Sequence, residues 1–238
     1  MHLHKIHYRA EQHAVNQIAH RTADHHQAGD GERARDTSST PVLKEAVKQL
    51  DRYFARKLKR FDLPLAAPSA NRSMGVSPTT AAHVAGSLTE GLAAILDGGV
   101  CQQGLESTIV ALREGGQWSL LREGPVTSAE LSEVLGSPPV ELTKGIEAPG
   151  QLVRHYSPGK PVRLGAAAAQ EGEFLIGFGA LAGQCNLSPT GDLAEAAARL
   201  YACLHEAAAS DCARIAVANV PGEGIGAAIN DRLQRAAA

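Results

Sequence analysis

Small hydroxyl, amide and guanidinium side chains in short polar runs are the residues here that could do chemistry. They suit hydrogen-bonded recognition of phosphate and amino-acid groups, and none of them reads as a covalent nucleophile. The first run is Leu-Pro-Leu-Ala-Ala-Pro-Ser-Ala-Asn-Arg-Ser-Met-Gly-Val-Ser-Pro at 63–78, where a short apolar strand meets a polar loop and then a helix start. Such a junction presents polar groups to a phosphate or nucleotide. Asn71 offers a donor and an acceptor, as an adenylate or an amino acid requires; the alternative is an Asx-turn after proline. Thr79 falls in the first turn of the next helix, either facing a phosphate or, with Ser77, serving as a cap. Ser107 and Thr108 are neighbours on an alternating strand, so one faces a pocket and the other faces away. Arg122 ends a further strand with fixed donors that can clamp phosphate, or it stands as a solvated edge residue.

These residues need elements to hold them. Ser77-Pro78-Thr79 predicts a helix through Ala82, Val84 and Leu88, with Ser77 as N-cap and proline at the first helical position. Residues 93–96 read as a short strand closed by Asp97-Gly98-Gly99, 107–112 as a strand, and 118–121 as another after a Gly115-Gly116 turn. Thr127 and Glu130 have capping-box spacing for a helix that Gly136 ends. Residues 137–161 are rich in Pro and Gly and predict a linker. Beyond it, 174–178 and 214–218 read as strands, and helices are predicted from Asp192 to about Ser210 and from Gly226 to Ala237. Alternating strands and helices imply a small parallel, Rossmann-like layer. Gly222, Gly224 and Gly226 do not complete a dinucleotide fingerprint, because Ala227 stands where the third glycine is needed; they read as a tight strand-to-helix turn.

The Pro-Ser-Ala-Asn segment, Gly104-Leu105-Glu106-Ser107-Thr108, Leu120-Leu121-Arg122-Glu123-Gly124, the run Ala148 to Pro158 and Ile229-Asn230-Asp231-Arg232-Leu233 occur in that order. Together they resemble the threonylcarbamoyl-AMP synthase family over about residues 63–238. The resemblance implies an α/β fold: a partial YrdC-like twisted sheet with helices at 63–136, the linker at 137–161, and a small parallel Rossmann-like αβα domain at 162–238. It implies ATP contacts at Asn71, Thr79, Arg122, His155 and Tyr156, and L-threonine contacts at Ser69, Ser107 and Thr108, with Ser107 favoured for the threonine side. Tyr156 would stack on or cap the nucleotide, and His155 would titrate near neutrality. Magnesium would accompany ATP, and no resident metal is expected. The family's Thr-Glu-Thr-Val-Tyr-Gly-like strand and Lys-x-Arg pair do not occur, so the chain reads as the later half of such an enzyme behind a foreign N-terminus.

That N-terminus has its own character. Residues 1–41 hold seven of the ten histidines without apolar periodicity, which predicts a disordered, solvated tail. His2, His4 and the His25-His26 pair lack cysteine or acidic partners at ligand spacing, so no metal site is assigned. At 42–62, Leu43, Val47, Leu50, Phe54 and Leu58 recur at helical steps, with basic residues largely on the outer side. The wording of 42–65 resembles the N-terminal lobe of methylated-DNA cysteine methyltransferases. None of the four cysteines precedes His-Arg, so the reactive motif of that family is missing.

Charge and cysteines narrow the function classes. Residues 1–62 carry +4 and the remainder −6, giving a net −2, and the whole lacks the field of a tight nucleic-acid binder. Cys101, Cys185, Cys203 and Cys212 show no CxxC pair and are expected as reduced thiols in a cytoplasmic protein. No run reaches the roughly 18 apolar residues of a membrane span. The resemblance therefore implies a nucleotidyltransferase that forms threonylcarbamoyl-adenylate and pyrophosphate from L-threonine, bicarbonate and ATP, for the tRNA-modification machinery downstream. The alternatives are a truncated or fused remnant with weak nucleotide binding and, further off, a DNA-repair alkyltransferase.

Overall fold

Two sheets carry the architecture. The computed structural model describes residues 69–92, 94, 95, 97–141, 148 and 154–238. The expected tail, the helix at 42–62, residues 63–68 and most of 142–153 lie outside the described residues. In the first unit, helix α1 (Ala81–Ser87) precedes strands β1 (Ile109–Leu112) and β2 (Trp118–Arg122), and helix α2 (Ser128–Leu135) follows. β1 and β2 pair antiparallel, with Leu112 opposite Trp118. The turn between them contains Gly115 and Gly116, both at positive φ as expected of a tight hairpin. Ile109, Ala111, Leu121 and Ala148 form the small core behind this hairpin.

The helix ends follow side-chain capping. Thr127 and Glu130 form the complete capping box of α2, and Gly136 closes the helix at φ 72°. For α1 the expectation is corrected. The cap is Thr80, not Ser77: its backbone is extended and its hydroxyl accepts from the His83 amide at 3.2 Å. Thr79 therefore precedes the helix instead of lying in its first turn. Of the strand expected at 93–96, residues 94 and 95 belong to no regular element, and 93 and 96 lie outside the described residues.

The second unit is a four-stranded parallel sheet in the order β3 (Val162–Ala166), β6 (Arg214–Ala218), β4 (Glu173–Gly177), β5 (Cys185–Asn186). β3 and β5 were not anticipated. β5 is only two residues long, and β3 contains Gly165 at φ 66°, so neither shows a sustained alternating pattern. Helices α3 (Leu193–Ala209) and α4 (Ile225–Ala237) pack on each other and on the sheet. Their apolar stripes, including Leu200, Leu204, Ile229 and Leu233, meet Phe174, Ile176, Ile215 and Val217. The opposite face of the sheet buries Ala166, Leu175 and Ala216.

Asp192 caps α3 as expected, accepting from the Glu195 amide at 2.8 Å. The glycine turn before α4 is required by space: a Cβ on Gly226 would strike the Pro221 carbonyl. Among the cysteines, Cys185 and Cys203 form a disulfide between β5 and α3, while Cys101 and Cys212 are free. The reduced-thiol expectation fails for this pair because helix-on-sheet packing brings the two Cα atoms to 5.8 Å, inside the range a disulfide spans. Among the described residues, no helix is long and apolar enough to cross a membrane.

Candidate functional site

The predicted site residues sort into two neighbouring groups. At the open end of the hairpin, Arg122 donates from Nε to the Ser107 carbonyl at 3.0 Å and from Nη2 to Ser107 Oγ at 3.3 Å. Thr108 faces the other way: its Oγ1 donates to the Val126 carbonyl at 2.7 Å and accepts from the Val126 amide at 3.1 Å. Both residues lie just before β1, which starts at Ile109 and not at Ser107 as expected, and it is these hydrogen bonds that leave Ser107 exposed beside a guanidinium and commit Thr108 to holding the 124–127 turn. Gly124 must lack a side chain, because a Cβ there would meet Thr108 Oγ1 at 2.7 Å and the Glu106 carbonyl at 2.8 Å.

The second group joins the Asn71 loop to the linker. Asn71 Nδ2 donates to the carbonyls of Arg72 and Gly75, both at 3.0 Å, so its amide braces the turn from its donor end and not through the accepting oxygen of an Asx-turn. Ser69 is exposed on the approach to that turn. Gly75 bridges to Ser157, and the Ser157 amide donates to the Met74 carbonyl at 2.8 Å. His155 and Tyr156 are carried on this bridge. The His155 amide donates to the Arg235 carbonyl at 3.1 Å, at the end of α4, and its Nδ1 is buried without a hydrogen-bond partner among the described residues. Burial lowers the His155 pKa, with nearby Glu106 opposing. Tyr156 is 1% exposed at φ 59°, with its ring 5.5 Å from Tyr201 and 4.1 Å from His155.

Thr79 is also enclosed, 1% exposed, and its Oγ1 lies 3.2 Å from His83 Nδ1. His83 stacks on His205 of α3 with ring centroids 3.9 Å apart, and His205 Nε2 lies 3.2 Å from the Ser77 carbonyl. Burial and the neighbouring His205 pull the His83 pKa down to about 4, and burial lowers that of His205 as well.

Between the groups lies a carboxylate, Glu106, to which the sequence motif alone assigns no role. Glu106 Oε1 accepts from Ser77 Oγ, and Oε2 accepts from Tyr201 Oη at 2.8 Å and from Arg232 Nε at 3.2 Å. Burial by itself would raise its pKa, but Arg232, Ser77 and Tyr201 outweigh that and hold the carboxyl below the ordinary range. Arg232 is 0% exposed. A signal for it existed, since residue 232 shares the apolar stripe of α4 with Ile225, Ala228, Ile229 and Ala236, where a lone charge requires a buried acid. Through Glu106 the cluster ties Ser77 of the first unit to Tyr201 and Arg232 of the second.

The class this defines is an α/β protein of two units, one built on a β-hairpin and the other on a four-stranded parallel sheet. Residues 126–238 match the family described as threonylcarbamoyl-AMP synthase, C-terminal domain, and 41–124 match the one described as telomere recombination, of the Sua5, YciO and YrdC proteins. Over 41–238 the chain belongs to the threonylcarbamoyl-AMP synthase family. Residues 2–67 match the 6-O-methylguanine DNA methyltransferase ribonuclease-like domain, so this likeness begins well before residue 42 and overlaps the synthase match. The threonylcarbamoyl-AMP synthase of Bacillus subtilis is 35% identical over 139 residues, covering 55% of this chain and 39% of that protein. That of Pyrococcus abyssi is 40% identical over 107 residues, covering 42% and 31%. A crystal structure of the Pyrococcus abyssi protein Sua5 complexed with L-threonine superposes with a TM-score of 0.62 at 28% identity, over 72% of this chain and 57% of that one. The chain thus spans well under half the length of these curated relatives.

Proposed function

We propose that this chain retains the L-threonine and adenylate contacts of a threonylcarbamoyl-AMP synthase. The observation that carries the reading is the exposed pairing of Ser107 with Arg122 at the mouth of the hairpin, within a family fold of which one solved member is complexed with L-threonine. In this reaction the threonine amine takes up bicarbonate with loss of water. The carbamate oxygen then bonds to the α-phosphorus of ATP, and the bond to pyrophosphate breaks. Positioning and neutralisation of phosphate charge carry such a transfer, so no protein nucleophile is needed. Ser69 and Ser107, with Thr108 behind them, serve the threonine side; Asn71, Thr79, Arg122, His155 and Tyr156 serve the nucleotide side, and magnesium arrives with ATP as part of the substrate. The product would pass to tRNA-modifying enzymes in the cytoplasm.

The lack of the Lys-x-Arg pair favours a second reading, a remnant that binds threonine or nucleotide weakly without turnover. Incubation with ATP, bicarbonate, threonine and magnesium separates the two. Slow pyrophosphate release that requires threonine and disappears in Arg122→Ala is expected of the enzyme. Threonine binding without release identifies the remnant, and release indifferent to threonine or to Arg122 overturns the site.

A further inference from the structure

The guanidinium of Arg232 reaches three separate candidate-site segments from one helix. Its Nε donates to Glu106 Oε2 at 3.2 Å, beside Ser107 and Thr108. Its Nη2 donates to the Glu123 carbonyl at 2.7 Å, next to Arg122. Its carbon lies 5.5 Å from the ring centre of Tyr156, in cation–π range. Through Glu106 it also reaches Ser77, and its Nη1 is held by Asp231 at 2.9 Å. Packing alone does not call for this residue, since a buried ion pair is commonly replaceable by apolar side chains without loss of stability. The fixed fork of a guanidinium, by contrast, is suited to holding several acceptors in one geometry.

We infer that Arg232 is a positioning residue: through it, the last helix of the second unit sets the segment at Ser107 that leads into β1, the end of β2 at Arg122 and the segment at Tyr156 relative to one another. The inference rests on the proposed function only in calling these segments the site. Its test uses no substrate, so the two can fail separately.

Hydrogen exchange on the full chain reads the positioning directly. In R232M and in R232K, amides of residues 106–109, 122–124 and 155–157 should exchange at least tenfold faster than in the wild type, while those of β4 and β6 stay unchanged. The double variant R232M/E106Q removes the unpaired buried carboxylate and should not restore slow exchange at those segments. Restoration in the double variant would mean that Arg232 only neutralises Glu106, and would overturn the inference; so would unchanged exchange in both single variants. If R232M fails to fold, R232K decides, because it keeps the charge and loses the fork. Local loosening of tenfold or more supports positioning, and exchange at the wild-type rate overturns it.

Discussion

Acidification should loosen the seam between the two units through the stacked His83 and His205. In the folded chain His83 titrates near 4 instead of 6.5, because burial and His205 disfavour its charged form, and His205 is shifted in the same direction. The unfolded chain therefore binds more protons between these values. Stability is complete above about pH 6.5 and is lost as the pH falls toward 4. Taken at face value the His83 shift is worth about 3 kcal/mol at about 1.4 kcal/mol per unit, but much of the ring meets solvent, and screening reduces this to about 1–2 kcal/mol. Roughly half of that is expected by pH 5. Urea unfolding from pH 7 to 5 measures it, with His83→Gln as the comparison so that every other titrating group cancels. The variant should show a flatter decline of stability with acid than the wild type. Parallel curves for the two proteins would refute the argument that this stack senses protons.

Three further outcomes follow from single contacts. Gly124→Ala should destabilise the chain by about 1–3 kcal/mol through overpacking against Thr108 and Glu106, read as a lower urea midpoint; an unchanged midpoint would mean that the turn can give. Cys203→Ala, or reduction of the wild type, should lower unfolding stability by about 2–4 kcal/mol, since the bridge links residues 18 apart, and reductant should have no such effect on the variant. Thr127→Ala should remove about 1 kcal/mol by opening the capping box of α2, whereas Thr127→Ser should retain most of it.

Elements with strong local grammar were legible before the structure. The capping box at Thr127, the glycine stop at Gly136, the Asp192 cap and strand 214–218 depend on neighbours in sequence, and the chain forms them as read. The α1 cap was misread because Ser77 and Thr80 are both good caps, and long-range contacts chose between them: Ser77 is drawn to Glu106, 29 residues away. Strands β3 and β5 escaped because the sheet defines them through pairing rather than through their own composition. The same holds at the site. Ser107 and Arg122 were visible as residue types, but Glu106, Tyr201 and Arg232 form one cluster across 126 positions, and no local pattern states that pairing. The disulfide was missed for the same reason, since only the packing of α3 on β5 brings its cysteines together.

The most direct test of the retained site is calorimetric titration of L-threonine into the full chain, the Arg122→Ala and Ser107→Ala variants, and Arg199→Ala as a surface control. The account predicts saturable binding by the wild type and the control, weakened about tenfold in Ser107→Ala, which loses a threonine contact of about 1.4 kcal/mol, and in Arg122→Ala, because the Arg122 guanidinium holds Ser107 in place. Absence of saturable binding in the wild type, or equal affinity in all four proteins, would contradict it.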